Sequence, residues 1–296
     1  MAAPCCPSGS HGPLAADTAA LTGSQEKEAD LDCYVSGQKE KPSMIILAFS
    51  DVFGPYTGRH RRICDQMAEA VPNSLVCMPD FFHGDPIAPD YSSYGSWASL
   101  RLKLYMPKML YRIRYRYSWG VLAPQIQKLT DALAAKYPEV PMFAYGFCWG
   151  GYVVAKASTL GTFRGVVAFH PSVLVCKLQY SPHGQKEEDL AKEVRCPQLM
   201  IPASNDDPHV KPGGGFMSIV TAAHPASKSV VYEKLVSQIS QVVEALRLFS
   251  AFLGMSIVLH EGVAGWATTK PCSLSLSRGT SMSCEQASGV IIIGFS

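Results

Sequence analysis

No run of this chain approaches the ~18 consecutive apolar residues of a membrane-spanning helix, so no membrane span is expected. Charge of either sign is scarce. Twenty-six basic against 24 acidic side chains leave a net charge of +2, which supplies no general affinity for nucleic acid or acidic membrane. No Cys-x-x-Cys pair and no His-Glu-x-x-His occurs, and Asp206, Asp207 and His209 have no further ligands nearby in sequence. Neither a metal site nor a cofactor is therefore expected. The opening Met1-Ala2-Ala3-Pro4-Cys5-Cys6 has no charged n-region and no apolar h-region, so a secretory signal is not expected. Cys5 and Cys6 lack a myristoylation motif beside them and read as an unstructured tail, not a lipid anchor. The ten cysteines are scattered without framework spacing, which fits reduced thiols and a cytoplasmic location.

What is present argues for a folded enzyme-sized domain. Hydrophobic residues make up 47% of the chain and charged residues 17%, a globular balance and not a disordered one. Residues 1–42 read mostly as loop, with Cys33-Tyr34-Val35 a candidate edge strand. Ser43 to Phe49 is a strong buried strand ending at Ser50-Asp51-Val52-Phe53-Gly54, and Ile63, Met67 and Ala70 mark a helix over 59–71. Ser74 to Met78 is the next strand. Strands alternating with helices predict an α/β fold with a mostly parallel sheet covered on both faces. Phe81 to Tyr117 interrupts the alternation. In it, Tyr111, Ile113, Tyr115 and Tyr117 alternate with Arg112, Arg114 and Arg116. Three readings stand: a cap over about 81–118 whose arginines steer carboxylate-bearing substrates, a nucleic-acid surface, or a solvated basic face. The near-neutral charge makes nucleic acid the weakest. Trp119 to Tyr137 carries apolar residues at helical spacing. Arg164 to Phe169 and Cys196 to Ala203 are further strands, with 177–195 a polar loop between them. Gly213-Gly214-Gly215 opens a short helix and lacks the Lys-Ser/Thr ending of a phosphate loop.

The chain is organised around Phe143-Ala144-Tyr145-Gly146-Phe147-Cys148-Trp149-Gly150-Gly151. An apolar strand from Val140 to Tyr145 runs into a sharp turn, and Tyr152 to Ala157 opens a helix. Gly-x-Cys-x-Gly is the thiol counterpart of the nucleophile elbow. A nucleophile at a strained strand-to-helix corner has its neighbours pressed close, so positions 146 and 150 must lack a Cβ. The Trp149 N–H is then placed for a developing oxyanion, and the helix start favours thiolate. The plain alternative is a buried cysteine beside a glycine-rich turn.

Gly146-Phe147-Cys148-Trp149-Gly150-Gly151 resembles the nucleophile motif of the dienelactone hydrolase family, small α/β-hydrolases with a Cys-His-Asp triad. Cys5 to His11, Asp51-Val52-Phe53-Gly54, Pro79 to Pro86, His170-Pro171-Ser172 and Asn205 to Gly214 resemble members of that family in the same order. The likeness covers about residues 5–253. It implies Cys148 as nucleophile, Asp206 as the acid that orients the base, and Trp149 and Val52 N–H groups as the oxyanion hole. It also implies that Asp51 lies near the thiol and modulates its ionisation, although Asp stands where the family has a longer Glu. Asp206 fits the family spacing better than Asp207; by composition alone the turn is rich in Asn and Asp for backbone reasons. His170 leaves its strand at the same edge as Cys148. The resemblance gives it no catalytic role, and it reads as a satisfied structural histidine.

One departure matters. In the family the last strand, here Ser229 to Val236, leads into the catalytic histidine. None of the eight histidines follows it here (11, 60, 83, 170, 183, 209, 224 and 260). Ile239, Val242, Val243, Leu246, Phe249 and Leu253 predict a helix that starts almost at once. Residues 254–296 match neither a helical nor a strand period. The chain reads as a variant lacking a segment between Val236 and Ser237, with 43–253 the α/β-hydrolase domain, 1–42 an N-terminal segment and 254–296 an atypical tail. His260 is a candidate replacement base without a local feature to recommend it. Two functions follow: a monomeric hydrolase of small esters or lactones that acylates Cys148 and deacylates slowly, or an inactive α/β-hydrolase-fold protein that binds a small molecule or protein partner.

Overall fold

The computed structural model describes residues 20–89, 98–178 and 185–231, with two short strands at 273–274 and 284–285. Eight strands form one sheet: β1 Ser24–Glu28, β2 Leu31–Gly37, β3 Met44–Phe49, β4 Ser74–Pro79, β5 Met142–Phe147, β6 Phe163–Phe169, β7 Gln198–Ile201 and β8 Lys228–Ser229. Their order is β1-β2-β4-β3-β5-β6-β7-β8. β1 and β2 are antiparallel, β2 is antiparallel to β4, and every later pairing is parallel. The helices are α1 His60–Ala70, α2 Ala98–Tyr111, α3 Trp119–Lys136, α4 Trp149–Ala157, α5 Glu187–Glu193 and α6 Gly215–Ala223. The strands β9 Ser273–Leu274 and β10 Cys284–Glu285 pair separately and antiparallel.

The central strands are apolar because both of their faces are covered. In β3, Ile45, Leu47 and Phe49 join Leu122, Ile126, Leu129 and Leu133 of α3 and the interior of α4. Ile46 and Ala48 point to the other face, with Cys64 and Met67 of α1. α4 is buried at every position, so polar residues are nearly absent from it.

The N-terminal expectation needs correcting. Residues 24–37 form a hairpin of two strands, and β1, not β2, is the edge. The sequence Ser-Gln-Glu-Lys-Glu hides β1 because an edge strand facing water carries no apolar alternation. Its entry is held by Asp65 of α1, whose carboxylate accepts from Thr22 N, Gly23 N and the Tyr34 hydroxyl. A second correction falls in the predicted loop 177–195, which contains α5. Its first turn holds Glu187, Glu188 and Asp189, the charges that suit a helix N-terminus, while Leu190 and Ala191 supply its buried contact.

The insertion is helical. α2 runs into a π-turn over Arg112–Arg116, which Tyr117 N closes onto Arg112 O. Arg112 is buried and Asp85 binds it and Arg116 at 2.7 Å each. Arg112 also donates to Pro86 O, and the Tyr117 hydroxyl donates to Asp85 O. Arg112 is thus committed in the interior, against a solvated or steering role for it, while Arg116 pairs with the same carboxylate from an exposed position. Arg114 lies over the Tyr115 ring at 5.7 Å. Arg112 and Arg116, four residues apart on this turn, reach one carboxylate. Most of the predicted last strand, the predicted helix over 237–253 and His260 lie outside the described residues. No helix among the described residues is long and apolar enough to cross a membrane.

Candidate active site

The predicted turn is present, and its geometry explains its glycines. Cys148 stands between β5 and α4 with φ 54° and ψ −112°, a conformation costly for a residue with a side chain. A Cβ on Gly146 would lie 2.2 Å from Gly150 O. One on Gly150 would lie 2.4 Å from Phe49 O and 2.5 Å from Ser50 O. The corner therefore closes only with glycine at both positions, and it closes directly against the end of β3, where Asp51 and Val52 follow.

The other wall comes from β6. Cys148 N donates to Phe169 O at 3.0 Å and Ser172 N donates to Cys148 O at 3.0 Å, so the turn after β6 is strapped to the elbow. The Cys148 Sγ lies 3.4 Å from Ser172 Oγ. A Cβ on Gly151 would meet Pro171 Cα at 2.9 Å, which shows how closely the His170-Pro171-Ser172 turn is pressed on α4.

Each expected residue can now be placed. Trp149 opens α4, so its N–H is among the donors that the helix itself leaves unpaired. Its ring is buried and packs 5.1 Å from Phe82. Val52 lies in the turn after β3, and its carbonyl accepts from Ala88 N at 2.9 Å. Asp51 accepts from Phe53 N at 2.8 Å and pairs with His60 Nε2 at 3.2 Å. His60 opens α1 and its ring lies 5.6 Å from that of Phe147, the residue before the cysteine. Asp206 follows β7, accepts from Ala203 N at 2.7 Å and lies against His170 Nδ1. Asp207 instead caps the turn 208–210 through His209 N at 2.8 Å. The adjacent aspartates thus have different partners.

The sequence reading took His170 for a structural histidine and did not foresee its approach to Asp206. Ser172 at the thiol and His60 on Asp51 were not anticipated. Only the shared edge of His170 and Cys148 was legible, because pairing across 36 or nine positions depends on strand order. Elsewhere burial pushes the Cys64, Cys176 and Cys196 thiols up to about 12. All six described cysteines are free thiols. A cavity of about 120 Å³ between the β1–β2 hairpin, β4 and α3 is lined by Glu26, Lys39, Cys77 and Lys136 among others. It draws on none of the elbow residues.

A mostly parallel eight-stranded sheet with a strained cysteine corner after a central strand defines the α/β-hydrolase class. The chain belongs to the dienelactone hydrolase family, whose model matches residues 31–235. An uncharacterised AIM2 family protein of Schizosaccharomyces pombe is 26% identical over 208 residues, covering 69% of this chain and 74% of that one. Among solved structures, the dienelactone hydrolase of Anabaena variabilis aligns with TM-score 0.51 and 14% identity over 80% of this chain and all of that chain. Est1E from Butyrivibrio proteoclasticus aligns with TM-score 0.51 and 12% identity over 79% of this chain and 99% of that chain.

Proposed function

We propose that this protein is a carboxylic ester hydrolase for small esters or lactones, with Cys148 as its nucleophile. The observation that carries the reading is the Cys148 corner itself. A non-glycine residue is held at positive φ at the start of a helix, between glycines that admit no Cβ. In the proposed reaction the thiolate attacks the ester carbonyl, with the N–H groups of Trp149 and Val52 receiving the oxyanion. Each such donor contributes about 3 kcal/mol in comparable sites. Asp51 tunes the thiol from the β3 side, and its bond to His60 spreads the carboxylate charge. The proposed enzyme acts as a monomer in the cytoplasm without a metal or cofactor. The other reading, a binding protein of the same fold, is the one to pursue if Cys148 proves inert.

The test is intact-protein mass after mixing with a small activated ester, followed over time beside Cys148→Ala. A gain of one acyl group in the wild type, absent from the variant, is the expected result. Equal labelling of both proteins, or none of either, removes support for the cysteine nucleophile.

A further inference from the structure

We infer that His170 is the proton partner of Cys148, oriented by Asp206, so that this chain carries its base after β6. The inference rests on reading Cys148 as the nucleophile. Four observations carry it. β5 and β6 are hydrogen-bonded neighbours with Phe147 opposite Phe169, which brings Cys148 and His170 to adjacent strand ends. Both residues have positive φ, 54° and 48°, so each of these two neighbouring strands ends in a strained residue of the kind that clusters where chemistry is done. His170 Nδ1 lies against the Asp206 carboxylate, which assigns proton exchange to the other ring nitrogen, Nε2. The Asp206 side chain is only 6% exposed while the imidazole is 22% exposed, so the acid is interior and the ring reaches outward.

The register of β6 and β7 fixes this arrangement. His170 N donates to Ile201 O at 2.9 Å, and Asp206 lies five residues beyond, in a turn that Ala203 N closes onto its own carboxylate. Asp51 and His60, at the same sheet edge, pair with each other on the β3 side, the buried Asp80 after β4 accepts from Phe82 N and Gly84 N, and Asp207 accepts from His209 N.

The steps balance as follows. His170 Nε2 takes the proton from the Cys148 thiol, and the sulfur forms its bond to the carbonyl carbon. The tetrahedral intermediate collapses with cleavage of the carbon–oxygen bond, and the imidazolium returns its proton to the departing alkoxide. Water then attacks the thioester, giving its proton to Nε2. The carbon–sulfur bond breaks to release the acid, and the thiol is restored. With this base in place, deacylation does not depend on a histidine after the last strand.

The experiment is the pH dependence of Cys148 alkylation in the full chain, wild type against His170→Asn. Asparagine tolerates positive φ and accepts no proton at neutral pH. In the wild type the rate is expected to inflect below the ordinary thiol range near 8.5. In His170→Asn the inflection returns to that range, and the acyl-enzyme formed from an activated ester lasts at least about 100-fold longer, the lower range for a general base. Superimposable alkylation profiles overturn the inference. Because alkylation needs no ester, a wild type that resists acylation defeats the hydrolase reading while leaving the His170 result interpretable. Should His170→Asn fail to fold, the wild type suffices: the imidazole pKa of His170, read by NMR, is expected to fall by about one unit once Cys148 is alkylated. An unchanged value also overturns the inference.

Discussion

Two histidine–carboxylate pairs flank the cysteine corner, one from β3 and one from β6, and they are built in opposite senses. On the β3 side the imidazole of His60 is the interior member, 10% exposed against the Phe147 ring, while Asp51 is 24% exposed. On the β6 side the order is reversed, with the carboxylate of Asp206 inside and the imidazole of His170 outside. A buried imidazole fastened to an outer carboxylate anchors a helix start to a strand end. A buried carboxylate against one nitrogen of an outer imidazole assigns proton exchange to the other nitrogen. Identical residue types therefore divide into a clamp and a candidate base according to which partner is buried.

The largest effect that sharpens this contrast is on turnover. Asp206→Asn is expected to lower kcat by about 10³–10⁴-fold, as loss of the orienting acid does in serine triads. Asp51→Asn is expected to change kcat by about tenfold or less, a shift of roughly one pKa unit in the thiol at most. Steady-state kinetics on both variants checks it, and a greater loss in Asp51→Asn would reverse the assignment of the two pairs.

The two flanks also differ in how tightly they press the corner. Gly150→Ala drives a Cβ into backbone oxygens of Phe49 and Ser50 on the β3 side, where nothing flexible can yield. We expect it to cost about 3 kcal/mol or more of folding stability. Gly151→Ala meets Pro171 at 2.9 Å on the β6 side, where a loop can give, and about 1 kcal/mol is expected. Denaturant unfolding of both variants measures the difference. Equal costs would mean that the β6 turn is as rigid as the end of β3.

A smaller effect has opposite sign on the two sides. Removing the Asp51 charge lessens repulsion of the thiolate and is expected to lower the alkylation inflection of Cys148 by less than about one unit. Removing the His170 imidazole raises it. If both variants move it the same way, the sides do not act on the thiol as opposed charges.

The smallest change is expected in folding stability between pH 7 and 9. Burial raises the Cys64, Cys176 and Cys196 thiols from 9.0 to about 12. A proton held more tightly in the folded state stabilises it. That contribution is present in full below pH about 9 and is lost as pH rises toward 12. Thermal unfolding across pH 7–11 should be flat to about 9 and then decline. Any change in Cys148 reactivity below pH 9 then belongs to its own site.

Local sequence determined the parts whose physics is local. The apolar runs of β3, β4, β5 and β6 specify buried strands, and Gly-x-Cys-x-Gly specifies the corner because no Cβ fits at Gly146 or Gly150. The preference for Asp206 over Asp207 came only from the resemblance to the family's spacing. The polar edge strand β1 and the short helix α5 were not legible, because neither carries enough apolar periodicity to be seen without its neighbours. The pairing of Arg112 and Arg116 with Asp85 was hidden for a related reason: their partner lies 27 and 31 positions away in a loop, beyond any local period. Tertiary structure alone decided which histidine meets which acid. His170 and Asp206 are 36 residues apart, and they meet because β6 and β7 are neighbours in the sheet and end at the same edge.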